Sequence, residues 1–112
     1  MTKDNIEFKR GEGKTITFTI KDEDSVVVDV STATFKFCVK LDIDSSTYVI
    51  EKNNADFDVS EAVSGEVSVT ITATETDIAP EIYVSELAVI WSDDAVDKSN
   101  DLAFVIKKSV IS

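Results

Sequence analysis

The side chains able to do chemistry in this chain are carboxylates, hydroxyls, lysines and a single thiol. There are 22 Asp and Glu, 11 Lys and Arg, one cysteine and no histidine. Without histidine the serines have no imidazole to take their proton, so a Ser-His-Asp triad is impossible. The commonest zinc ligand is missing for the same reason. Two carboxylates held roughly 5 Å or 6.5–9.5 Å apart could cleave glycosides, but the sequence selects no pair. Gly13-Lys14-Thr15 has the ending of a phosphate-binding loop. That loop needs a glycine where Phe8 stands and a helix after the threonine, and a strand pattern follows instead. Asp42-Ile43-Asp44-Ser45-Ser46 could open a calcium loop. A helix-loop-helix register from Asp42 puts Thr47 at the glycine position and Asn53 at the bidentate glutamate. The register from Asp93 fails too, at Lys98 and Phe104. Asp93, Asp94, Asp97 and Asp101 could gather a looser calcium site, although solvated turn carboxylates explain them more simply. Cys38 stands between Lys36 and Lys40 on one strand face, where two ammonium groups could lower a thiol pKa. A small, inert, half-buried cysteine is the simpler reading. No catalytic residue, metal or cofactor is therefore expected, and the protein is read as a non-enzyme.

The elements that must position these groups are strands. Thr15–Ile20 reads TITFTI, with Ile16, Phe18 and Ile20 on one face and threonines on the other. Thr34–Leu41 places Phe35, Phe37, Val39 and Leu41 on one face. Glu66–Thr72 turns Val67, Val69 and Ile71 inward. Tyr83–Trp91 turns Tyr83, Leu87, Val89 and Trp91 inward, yet carries Val84, Ala88 and Ile90 as well as Glu86 on its other face, so cover on both sides is expected. Leu102–Ile111 alternates through Leu102, Phe104 and Ile106. Ile6–Lys9, Val26–Val30 and Tyr48–Lys52 are shorter candidates. Gly, Asn, Asp and Ser fill the intervals, as turns require. Helix signals are thin: Val59–Val63 could make one turn, and Thr74-Glu75-Thr76-Asp77 resembles a capping box just before Pro80. Seven or eight short strands at such spacing predict an all-β, antiparallel immunoglobulin-like sandwich, with residues 1–112 as one domain. Phe35, Phe37, Val67, Val69, Leu87 and Val89 should form its centre. Tyr83, at the start of its strand after Pro80, is placed to make a tyrosine corner, its hydroxyl bonded to upstream backbone.

Composition narrows the function. The net charge of −11 opposes binding to nucleic acid, which requires Lys and Arg to displace counterions from phosphates. It opposes anionic membrane surfaces likewise. No apolar run approaches the length of a membrane span. The first residues, MTKDNIEFKRGEG, show no secretory pattern, and a lone cysteine makes no internal disulfide, so folding in a reducing cytoplasm is expected.

The order of the pieces resembles a known family. FKRGEGKTITFTIKDEDSVVVDVSTATFKFCVK, then SGEVSVTITATETDIAPEIYVSELAVIWSD, then LAFVIKKSVIS, is similar to the N-terminal immunoglobulin-like domain of phage baseplate upper proteins. The matching positions are Gly11, Thr17, Phe18, Asp29, Phe35, Phe37, Gly65, Val67, Glu75, Thr76, Tyr83, Leu87, Phe104 and Ile106. The resemblance implies a structural component of a tailed-phage particle, made in the host cytoplasm and located in the virion. It would be a baseplate or tail adaptor or a capsid decoration subunit. Its partners would be other virion proteins, in an oligomer or on the particle. Candidate protein contacts are Val110 and Ile111, an apolar stretch on the last strand, and Trp91 at the end of its own. The alternative is a module binding carbohydrate or the host surface, stacking sugars on Trp91 or Tyr48.

Overall fold

Period-two alternation becomes two facing layers in the computed structural model, which describes residues 5–98 and 102–111. Nine strands occur among them: β1 (Asn5–Lys9), β2 (Lys14–Thr19), β3 (Thr34–Lys40), β4 (Ile50–Lys52), β5 (Phe57–Asp58), β6 (Glu66–Ile71), β7 (Ile82–Ile90), β8 (Val96–Lys98) and β9 (Leu102–Lys107). The larger sheet runs β1-β9-β7-β3-β4, with β8 also paired to β7. The smaller sheet runs β2-β6-β5. Short 3-10 turns at Asn54–Asp56 and Ala62–Ser64 are the only helical pieces described.

The inward residues of both sheets form one core. Phe35, Phe37, Val67, Val69, Leu87 and Val89 are all buried there, as their alternation predicts. Aromatic rings join the layers: Phe18 of β2 meets Phe37 of β3 at 5.6 Å between centroids, and Phe35 meets Phe57 at 5.6 Å. Each such pair adds about 0.5–1.5 kcal/mol beyond its buried area. Within the larger sheet Phe8 stacks on Phe104 at 5.3 Å.

Several expectations are corrected. The larger sheet is mixed rather than antiparallel, because β1 lies parallel to β9, from Asn5↔Ala103 to Lys9↔Lys107. The turn at Gly11 (φ 80°) carries the chain from one sheet to the other, so β1 and β2 lie in different sheets. Val26–Val30 is no strand and makes one isolated bridge, Lys21↔Val27. Asp22 Oδ1 accepts hydrogen bonds from the amides of Asp24 and Val26, and Ser25 adopts φ 63°, which breaks the pairing early. Only Val30 of that run is fully buried, its amide donating to the Ala62 carbonyl. Strand β3 ends at Lys40, leaving Leu41 half exposed rather than in the core. The last strand stops at Lys107, where its partner β1 also stops. Val110 and Ile111 therefore lie beyond the sheet, 101% and 84% exposed. The reciprocal box forms on Thr72 and Glu75, not Thr74 and Asp77: each residue's amide donates to the other's side chain. The short strands β5 and β8 carry too few residues to show alternation.

Gly65 holds the smaller sheet to the Val26–Val30 segment. Its φ of 81° favours glycine, and a Cβ there would collide with the Val27 side chain and stand 2.9 Å from the Val28 carbonyl oxygen.

Candidate functional site

The two sheets present different outer faces. On the smaller sheet the outward positions are Thr15, Thr17 and Thr19 of β2 and Glu66, Ser68 and Thr70 of β6. The Thr15 and Thr70 hydroxyls lie 2.9 Å apart in a hydrogen bond. This is the polar-out alternation of a solvated layer. On the larger sheet β7 turns Val84, Glu86, Ala88 and Ile90 outward, and β9 adds Ala103 and Val105, all half-buried. The apolar positions on the second face legible in the sequence thus exist, with no further strand layer among the described residues packed over them.

A groove of about 300 Å³ runs along that face. Val84, Ala88 and Cys38 line it, brought together by the register of β3 on β7, in which Lys36↔Ala88 and Lys40↔Val84 are partners. The loop after β3 contributes Ile43 and Tyr48, and β8 contributes Lys98. Lys36 and Lys40 reach the Tyr48 ring, with Nζ at 5.6 and 5.4 Å from its centroid. Lys36 is also paired with Glu51 at 2.9 Å. Lys40 and Lys98 make no ion pair among the described residues, and Glu86 is the carboxylate in the groove lining.

Cys38 is not an activated nucleophile. Burial pushes its thiol pKa up, outweighing the opposing pull of Lys36. Of the flanking lysines, Lys36 already has Glu51 as its partner.

The other sequence candidates are held in structural roles. Trp91 is half-buried against the core, and its indole N–H donates to Asp97 Oδ2 at 2.8 Å. Asp93 Oδ1 accepts from the Ala95 amide, and Asp42 Oδ1 from the Asp44 amide. Asp101 lies outside the described residues. Among those described, no three Cys, Asp or Glu side chains gather as metal ligands. Lys14 opens β2 rather than a helix, its Nζ 4.7 Å from the Phe8 ring centroid. Tyr83 forms the expected corner: its ring is buried and its hydroxyl donates to the Ala79 carbonyl at 2.6 Å.

One polar cluster escaped the sequence reading. Lys52 points inward from β4 and meets Glu75 at 2.8 Å. The same carboxylate accepts from the Thr72 amide and hydroxyl. Burial alone would raise the Glu75 carboxyl, but Lys52 and Thr72 together hold it below the ordinary glutamate value. Beside it Thr76 is fully buried, its hydroxyl donating to the Glu12 carbonyl at 2.8 Å. The inward parity of Lys52 with Ile50 was the available signal. A lysine at an inward position discourages that reading unless its partner is known.

The arrangement is therefore a packed two-layer body whose larger sheet sets apolar residues among lysines and Glu86 on its outer face. No curated protein sequence matches the chain. The model of the BppU N-terminal domain matches it over residues 1–112. The chain thus belongs to the family of N-terminal domains of phage baseplate upper proteins, structural parts of the virion.

Proposed function

We propose that the chain is a non-enzymatic baseplate adaptor, acting through protein–protein contacts within the tail rather than as a capsid decoration subunit. The observation that carries this reading is the family match over residues 1–112. The facing sheets and the Tyr83 corner support an immunoglobulin-like architecture for a single domain over that span. The buried polar side chains support a structural role. Ser85 donates to the Leu102 carbonyl, Thr76 to the Glu12 carbonyl, and Lys52 pairs with Glu75. Among the described residues no buried side-chain polar atom is left without a partner. A surface carrying −11 suits a subunit that stays soluble and off nucleic acid before assembly. The sugar-binding alternative loses Trp91 as a stacking platform, because its indole is half-buried and tied to Asp97.

The test is mass spectrometry of purified virions separated into heads and tails, with antibody labelling of the intact particle. The chain is expected in the tail fraction, with label at the tail tip. Absence from virions, or recovery with heads, would contradict the proposal.

A further inference from the structure

We propose that the groove on the outer face of the larger sheet receives a segment of another baseplate protein that carries an apolar side chain flanked by carboxylates. The proposal rests on the assembly reading above and deepens it by naming the face and the chemistry of its occupant.

Two observations carry it. The first is the difference between the faces. A layer that meets water alternates apolar-in and polar-out. The threonines of β2 and the Glu-Ser-Thr positions of β6 do so. Strand β7 does so only at Glu86: Val84, Ala88 and Ile90 also face outward from the middle of the larger sheet, beside Ala103 and Val105. Outward-facing apolar positions gathered among charged ones, as here around Glu86, are the form of a protein-contact surface. The groove has room for one bulky side chain and parts of its neighbours.

The second is charge. The chain as a whole carries −11, yet three lysines, Lys36, Lys40 and Lys98, rim this groove against Glu86. Glu51 pairs with Lys36, while Lys40 and Lys98 make no ion pair among the described residues. Ammonium groups beside apolar surface are satisfied by carboxylates on the incoming segment, which also fix its register. The same charges argue against this chain's own exposed Val110 and Ile111 as the occupant. Those residues follow Lys107 and Lys108, whose ammonium groups would meet the lysine rim.

Cys38, the single cysteine, lies in the groove and serves as the probe. Its maleimide labelling is compared in the free chain and in intact virions. Labelling in virions should slow by roughly tenfold or more, because access controls thiol reactivity. Zero-length carbodiimide coupling of the same virions should join Lys40 or Lys98 to Asp or Glu of another baseplate protein. The double variant Lys40→Glu/Lys98→Glu should keep the thermal midpoint of the parent and lose incorporation into particles. Glu66→Lys on the other layer should incorporate normally.

Unchanged Cys38 labelling in virions that contain the chain would overturn the proposal while leaving the assembly reading intact. So would full incorporation of the double variant. Coupling of Lys40 or Lys98 only to a second copy of this chain would overturn the choice of partner. Virions that lack the chain would overturn the assembly reading itself.

Discussion

Replacing Phe37 with alanine probes the packing that joins the two layers. Phe37 is 0% exposed, sits mid-strand on β3 between partners Lys52 and Leu87, and meets Phe18 of the opposite sheet and Phe104 of its own. A buried phenylalanine removes about 150–250 Å² from water. At roughly 25 cal/mol per Å² its burial is worth about 4–6 kcal/mol, of which alanine keeps a part. The remainder, with the lost ring contacts and the cavity, gives an expected loss of about 3–5 kcal/mol. A domain of this size is stable by about 5–15 kcal/mol, so the variant should fold but only marginally. Leu41→Ala is the control. Leu41 shares the parity of Phe37 in the sequence but is 50% exposed beyond the end of β3, and its loss should stay below about 1 kcal/mol. Equilibrium urea unfolding of parent and variants measures both, with unchanged slopes as the condition for comparing midpoints. A loss under about 1 kcal/mol for Phe37→Ala, or equal losses for the two variants, would refute the placement of the core.

Further outcomes follow from single contacts. Gly65→Ala should cost about 2 kcal/mol or more from a left-handed backbone and a clash with Val27, against about 1 kcal/mol for Gly11→Ala, where a Cβ meets nothing within 4 Å; thermal unfolding compares them. Tyr83→Phe should lose about 1 kcal/mol with the bond to the Ala79 carbonyl, read by urea unfolding. The Glu75 carboxyl is depressed in the folded chain, so its contribution is present above the ordinary glutamate value and fades as pH falls through its folded value. Glu75→Gln should therefore destabilise near neutral pH and flatten that part of the stability profile. An equal profile for parent and variant would count against the Lys52–Glu75 pair.

The core was legible because burial acts on each residue's own parity. Phe35, Phe37, Val67, Val69, Leu87 and Val89 needed only the knowledge that their strands have one wet side. Pairing was less legible, since alternation names a face and not a neighbour. Nothing in Asn5–Lys9 says that it runs parallel to Leu102–Lys107. The end of β9 was misplaced because a strand stops where its partner stops, and Lys9 closes the pairing at Lys107. The candidate face was half visible: Val84, Ala88 and Ile90 announced an apolar second side. Its lysine rim was not, because it depends on the registers Lys36↔Ala88 and Ala88↔Lys98, which bring distant residues together. The thiol of Cys38 was ambiguous for a related reason. Adjacent lysines suggest a lowered pKa, but burial and the Lys36–Glu51 pair are set by strands elsewhere in the chain.

The central claim is that this chain is a structural part of a phage baseplate, docked through the outer face of its larger sheet. A cryo-electron-microscopy reconstruction of the virion tail tip tests both halves at once. The account predicts density for the two-layer body within the baseplate, with β7 and Tyr48 against a neighbouring protein and the threonine face of β2 and β6 towards solvent. A tail tip without this body, or one in which the β7 face stands open to solvent, would contradict it.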